Sequence, residues 1–274
     1  MTEKVKLNNG IEMPWVGLGV FRMDNDDDTQ IVIEKALAMG YRHVDTAAYY
    51  DNEEAVGKAI KSSGIPREEV FITTKVWNED QRQGTVRQAF EDSLRKLGTD
   101  YVDLYLIHWP VPGKFKETWK IFEEIYSTGR AKAIGVSNFK KHHLEELKDV
   151  STIIPAVNQI ELHPYLVQQE DLDYCNQNGI RVEAWSPFAA NKLNLFEEKA
   201  IIDIAGKHEK TPAQVILRWD HQRGVVVIPK SSNEKRLAEN IDIFDFKLSN
   251  EEIVQISALN KNKRVGSDPD HFDF

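Results

Sequence analysis

The sequence predicts an α/β fold whose strands run parallel and close into a barrel, preceded by a β-hairpin. Three observations carry this expectation. Short β-rich runs alternate with amphipathic stretches along the chain, the pattern of a parallel sheet with crossover helices. Seven or eight such units occur, which favours closure over an open sheet. The strand-like runs also end in polar or ionisable residues, as expected where the C-terminal ends of barrel strands open onto one face.

The elements follow in order. Val5-Lys6-Leu7 and Ile11-Glu12-Met13 flank Asn8-Asn9-Gly10, and Asn-Gly is a strong tight-turn signal. Strands are predicted at 41–45, 70–75, 102–108, 132–136, 156–160, 180–185 and 224–228, with a weaker eighth near 241–243. Between them the helical pattern covers 52–62, 83–97, 116–127, 140–148, 168–177, 196–208 and 211–222. Asn52, followed by Glu53 and Glu54, reads as a capped helix start, and Thr211-Pro212 as a cap with proline in the first turn. Gly98, Gly129 and Gly179 sit where helices should end. The acidic run 24–28 reads as a solvated cap before the first barrel helix. Gly17-Leu18-Gly19 lacks the third glycine and the strand-to-helix setting of a dinucleotide fingerprint.

A chain of 274 residues suits one closed barrel of about 250 residues, and no Pro/Gly/Ser-rich linker divides it, so residues 1–274 are expected to form one domain. The 35 basic and 44 acidic residues leave −9, which disfavours nucleic acid as a partner. Cys175 is the only cysteine, so no intrachain disulfide is available. The first ten residues lack the apolar stretch of a secretory signal, and no run approaches the roughly 20 residues that span a bilayer. The expectation is a cytoplasmic monomer acting on small molecules, with no membrane association.

Four residues of the kinds needed to protonate a carbonyl oxygen fall in the first half of the chain. Asp45, Lys75 and His108 close strand-like runs, and Tyr50 lies in the loop after Asp45. A tyrosine hydroxyl, with an ordinary pKa of about 10, is a reluctant acid; a lysine cation beside it favours the phenolate and lowers that value. Asp45 would hold Lys75 charged, and His108 would donate to the substrate oxygen. Taken singly, Asp45 and Lys75 are also what a structural ion pair looks like, His108 a buried histidine, and Tyr49 a packing residue. The later strand ends are equally polar: Ser137-Asn138, Asn158-Gln159, Trp185-Ser186 and Lys230-Ser231-Ser232. No histidine/carboxylate spacing points to a metal; His142 and His143 read as surface residues of a helix start, and His163 as a possible rim residue.

The runs Gly40-Tyr41-Arg42-His43-Val44-Asp45-Thr46-Ala47, Ile107-His108-Trp109-Pro110, Gly135-Val136-Ser137-Asn138-Phe139 and Ile228-Pro229-Lys230-Ser231 resemble the aldo-keto reductase family, over effectively the whole chain. The resemblance implies a (β/α)8 TIM barrel that reduces aldehydes and ketones with NADPH, without metal or flavin. It places a catalytic tetrad on Asp45, Tyr50, Lys75 and His108, with Tyr50 as the general acid. Ser137, Asn138 and Gln159 match positions that hold the nicotinamide carboxamide, and Trp185 the aromatic that stacks on its ring. Ser186 would lie along the pyrophosphate. Lys230, Ser231, Arg236, Glu239 and Asn240 match the adenosine end, and the cations Lys230 and Arg236 suit a 2′-phosphate. Val20 stands where the family often has threonine, leaving backbone contact there.

The substrate mouth, by the same resemblance, falls on Phe21, Tyr50, Trp77, His108 and Trp109. The short connection 111–114 and the brief tail 266–274 predict an open, weakly selective slot and resemble the prokaryotic branch of diketogluconate and glyoxal/methylglyoxal reductases. The expected substrates are small α-oxoaldehydes and dicarbonyls. Two other readings compete. One is an NADPH-binding, redox-sensing subunit without turnover; the other is a Schiff-base aldolase using Lys75, which leaves the cofactor residues without a role.

Overall fold

The computed structural model describes residues 3–23 and 26–274. Met1 and Thr2, and Asp24 and Asn25 of the acidic run, lie outside the described residues. An antiparallel hairpin comes first: β1 (Lys4–Lys6) pairs with β2 (Glu12–Pro14), Val5 opposite Met13, and Gly10 turns the chain at φ 91°. The barrel strands are β3 (Leu18–Gly19), β4 (His43–Asp45), β5 (Phe71–Val76), β6 (Val102–Ile107), β7 (Ala131–Ser137), β8 (Val157–Glu161), β9 (Arg181–Trp185) and β10 (Val226–Val227). They pair in parallel in strict chain order from β3 to β10. The two edges meet at a parallel bridge between Val16 and Val227, with Gly17 N–H donating to Val227 O at 2.9 Å and Val227 N–H to Trp15 O at 3.0 Å.

The helices are α1 (Asp26–Ala38), α2 (Glu53–Ser62), α3 (Asn78–Gln83), α4 (Val86–Leu97), α5 (Phe115–Ser127), α6 (Lys141–Lys148), α7 (Gln169–Gln177), α8 (Lys199–His208), α9 (Pro212–Gln222), α10 (Glu234–Ile241) and α11 (Asn250–Ser257). Among the described residues, no helix is long and apolar enough to cross a membrane.

Four expectations need correcting. No strand forms near 241–243: α10 runs through Ile241, and the missing barrel strand is β3, too short to show a β pattern. The stretch 83–97 is not one helix, because Gly84, at φ 74°, ends α3 before α4 begins. The stretch 196–208 opens as a 3-10 turn before α8. Asn52 precedes α2 without capping it. Its side chain accepts from Thr46 Oγ1 at 2.7 Å and donates to Val20 O at 3.0 Å, tying the exits of β3 and β4 together. Thr211 behaves as expected: it and Gln214 bond reciprocally across the start of α9.

One apolar layer joins the outer faces of the strands to the helices, with Trp119, Phe122 and Tyr105 among its largest buried members. A second lies inside the barrel at its N-terminal end, where Val5, Leu7 and Met13 of the hairpin meet Phe71, Leu104, Leu106, Ala133 and Val226. Met13 is fully buried there, which contributes about 1.5–3 kcal/mol and plugs the barrel floor. Polar residues are thus left for the opposite end.

Candidate active site

The register of the sheet brings the strand ends together at that end. Asp45 lies opposite Thr73, and Lys75 opposite Leu106 one strand further on. Tyr50 stands in the single 3-10 turn Ala48–Tyr50 after β4, and His108 directly follows β6. The Lys75 ammonium, wholly buried, donates to Asp45 Oδ1 at 2.7 Å and to Thr46 O at 2.8 Å. It lies 3.5 Å from the Tyr50 hydroxyl. The rings of Tyr50 and His108 are edge to face, 5.6 Å apart. All four side chains predicted to act together do share one site.

Burial dominates the electrostatics. It is the largest single influence on Lys75 and would push it towards neutrality, but the acidic groups around it, Asp45 first and then Tyr50 and Glu183, together outweigh it and hold the ammonium above its usual range. Burial also raises the Tyr50 hydroxyl; Lys75 pulls it down as anticipated, but by less. Position along the chain identifies the lysine, whereas burial, the stronger influence on Tyr50, follows only from the fold. Burial, with Lys75 second, drives His108 well below 6.5, so the ring is neutral, and its buried Nδ1 has no partner among the described residues.

Beside this group lies an amide cluster. Asn138 follows β7 at φ 64°, a conformation asparagine tolerates better than most residues. Its Nδ2 donates to His108 O at 3.0 Å and Ser137 Oγ at 3.2 Å, while its Oδ1 accepts from the Trp185 indole at 2.9 Å. Ser137 Oγ donates to Gln159 O at 2.9 Å. Gln159 Nε2 donates to Asp45 Oδ2 and to Glu183 Oε2, each at 2.7 Å. Ser137, Asn138, Gln159 and Trp185 are therefore contiguous with the acid–lysine pair. Ser186 continues from Trp185 with φ 51°.

The remaining predicted residues stand further round the barrel mouth. Val20 is buried, with its N–H donating to Asp45 O at 3.1 Å. Lys230 and Arg236 are exposed, and among the described residues neither side chain has an ion-pair partner. Ser231 Oγ accepts from Asn233 N–H at 3.2 Å, shaping the loop into α10, while Asn240 is buried and Glu239 lies 3.8 Å from Lys235.

Above Tyr50 and His108 lies an aromatic slot. Phe21 packs 4.9 Å from Tyr50, and Trp77 5.1 Å from His108. Three residues not expected in the slot join it. Tyr49 stacks on Trp77 at 3.8 Å; Phe272 lies 5.2 Å from Trp109; Phe274 lies 5.8 Å from Trp77 and 5.2 Å from Trp109. The tail, although short, folds across the mouth, so the slot is less open than its length implied.

Two further clusters hold that tail. Glu161, buried at the end of β8, accepts from Val265 N–H at 2.7 Å, Gly266 N–H at 3.1 Å and His163 at 3.0 Å. Gly266 lies against the Trp185 ring, where an added Cβ would come within 2.4 Å of Cη2. Lys140 bridges Asp268 and Asp270 at 2.6 Å each, and His142 and His143 lie 3.1 and 3.6 Å from Asp270. His143 is buried rather than a surface residue. Its Nδ1 accepts from Lys140 N–H, so in the neutral ring Nε2 carries the proton and has no lone pair for a cation. This cluster is an ionic anchor for the tail.

The comparisons with known proteins agree with this fold. Glyoxal reductase of Bacillus subtilis (strain 168) is 54% identical over 100% of this chain and 99% of its own length. Methylglyoxal reductase DkgA of Escherichia coli (strain K12) is 49% identical over 98% of this chain and 97% of its own. The crystal structure of a Bombyx mori aldo-keto reductase in complex with NADP superposes with a TM-score of 0.92 at 38% identity, covering 98% of this chain and 96% of that one. Residues 16–261 match the aldo/keto reductase family, and the chain belongs to that family.

Proposed function

We propose that the chain reduces small α-oxoaldehydes and dicarbonyls, of the glyoxal and methylglyoxal type, with NADPH as reductant and Tyr50 as proton donor. The observation that carries this is the convergence of the Tyr50 hydroxyl, the Lys75 ammonium and the neutral His108 ring at the base of an aromatic slot. The substrate class comes from the relatives named as glyoxal and methylglyoxal reductases.

NADPH, when bound, supplies a hydride to the carbonyl carbon. The residues do the rest. Burial keeps Tyr50 protonated, the state a donor requires. As its proton passes to the carbonyl oxygen, the ammonium 3.5 Å away stabilises the phenolate left behind. Asp45 keeps Lys75 charged through that step. His108 donates to the same oxygen and orients it. The same charge argues against a Schiff-base role for Lys75, which requires a neutral amine.

The chain's own residues fit the cofactor. Ser137, Asn138 and Gln159 would hold the carboxamide, Trp185 the ring face, and Ser186 the pyrophosphate. Lys230 and Arg236, exposed and without ion-pair partners, would take the 2′-phosphate, with Ser231, Glu239 and Asn240 around the adenosine.

The test is NADPH oxidation with methylglyoxal, comparing the native chain with Tyr50→Phe. Turnover should fall by roughly 10²–10⁴-fold while NADPH still binds. A native chain that binds NADPH but reduces no aldehyde would leave the binding-subunit reading in its place.

A further inference from the structure

Glu183 is fully buried in the middle of β9, and no step of the proposed reaction uses it. In register it lies between Gln159 on β8 and Val226 on β10. The Gln159 amide nitrogen has two hydrogens, and both are committed, one to Glu183 Oε2 and one to Asp45 Oδ2, at 2.7 Å each. Turning the amide over would set its oxygen against the Asp45 carboxylate. Its orientation is thereby forced, and Oε1 is the acceptor left for anything arriving from outside.

The charges around Glu183 are unevenly matched. His43 and Asp45 face it from β4, Lys75 from β5 and Tyr50 from the turn after β4, whereas β10 offers only valines. Arg181, on its own strand, sends its guanidinium away to Gly224 O. His43 Nε2 lies 3.8 Å from Glu183 Oε1, but burial and then Lys75 drive this histidine down to about 3, so it is neutral. The one buried ammonium among the described residues, Lys75, is already paired with Asp45. Burial, with Asp45 second, pushes Glu183 up to about 8, and it keeps its proton at neutral pH.

We propose that Glu183 is a positioning residue: it shares the Gln159 amide with Asp45 and thereby fixes Gln159 Oε1 as the acceptor offered to the carboxamide of a bound nicotinamide. This rests on the reading that the site binds NADPH. It has an electrostatic corollary. Ionising Glu183 adds an uncompensated negative charge beside the Gln159 amide, which favours a cationic nicotinamide ring over a neutral one. NADP+ should therefore gain affinity relative to NADPH as the pH rises past about 8.

The experiment measures dissociation constants for NADP+ and for NADPH by tryptophan fluorescence at about pH 6.5 and about pH 9.5. It uses the full chain, Glu183→Gln and Glu183→Leu. In the wild-type chain the ratio of the two affinities should move on the order of tenfold, the size of one charge acting through protein of effective dielectric about 20. Glu183→Gln keeps an acceptor for Gln159 but cannot ionise, so its ratio should stay flat. Glu183→Leu strands one amide hydrogen and should weaken both nucleotides by roughly tenfold, with Glu183→Gln restoring them. A pH-dependent ratio that persists in Glu183→Gln overturns the proposal, as does unchanged binding in Glu183→Leu. Should the leucine variant fail to fold, the glutamine variant alone decides. A wild-type chain that binds neither nucleotide sinks the NADPH reading itself, an outcome distinct from both.

Discussion

Glu183→Gln should stabilise the protein increasingly as the pH rises. The side chain is wholly buried, and its pKa rises from 4.5 to about 8 because burial penalises the charged form. Between those values the folded chain holds a proton that the unfolded chain has released. Such a group contributes stability that is fully present below the unfolded pKa near 4.5 and is lost as pH climbs through the folded value near 8. Glutamine has no proton to lose. The stability difference between variant and wild type should grow by about 1.4 kcal/mol per pH unit, then level off, with roughly 5 kcal/mol between the plateaus. In a protein of this size that corresponds to a Tm difference of about 10 °C or more. Urea unfolding followed by tryptophan fluorescence, repeated from about pH 5 to about pH 9, reads the effect directly. A difference that stays constant across the range would refute the reasoning, because it would mean that Glu183 does not titrate differently on folding.

Other perturbations give equally definite outcomes. Asp45→Asn leaves the buried Lys75 ammonium without its counter-charge and should cost about 3–5 kcal/mol in urea unfolding, with loss of turnover. Gly266→Ala forces a Cβ to within 2.4 Å of Trp185, so the tail or the indole must shift; the KM for NADPH should rise several-fold, checked by initial rates. Arg236→Ala should weaken NADPH by roughly tenfold and leave NADH unchanged in parallel titrations, since only NADPH carries the 2′-phosphate.

What could be read in the sequence was what regular periodicity or a concentrated motif encodes. Strands such as Phe71–Val76 and Val102–Ile107 stand out because β-branched and apolar residues dominate them, broken only by Lys75 and Asp103, as in strands buried on both faces of a sheet. Asp45, Lys75 and His108 were visible because each ends such a run. Leu18–Gly19 was not, because two residues carry no period. Glu183 was hidden for the opposite reason: it is a single acid inside Arg181–Trp185, and only the register reveals that it faces Gln159. Asn52 had the right position for a cap, but Thr46 and Val20 competed successfully for its side chain. Phe272 and Phe274 are ordinary in sequence; their place in the slot goes with partners far from them along the chain, Glu161 accepting from the tail backbone, Lys140 pairing with Asp268, and Asn78 and Arg82 donating to Phe274 O.

The seam between Val16 and Val227 also bears on how the protein is made. These residues stand near opposite ends of the chain, while every other strand pairs with its neighbour in sequence. The neighbouring pairs can assemble as synthesis proceeds, because each loop to be closed is far shorter than the stretch between Val16 and Val227. The seam cannot form until the region around Val227 has left the ribosome. Gly19 fits there against Ile228 O, where an added Cβ would come within 2.8 Å, so the join tolerates little extra bulk. Phe21 lies two residues after Gly19, and the part of the slot it forms against Tyr50 takes its final position only when the barrel has closed. A nascent chain would therefore acquire most of its core before it acquires a working pocket.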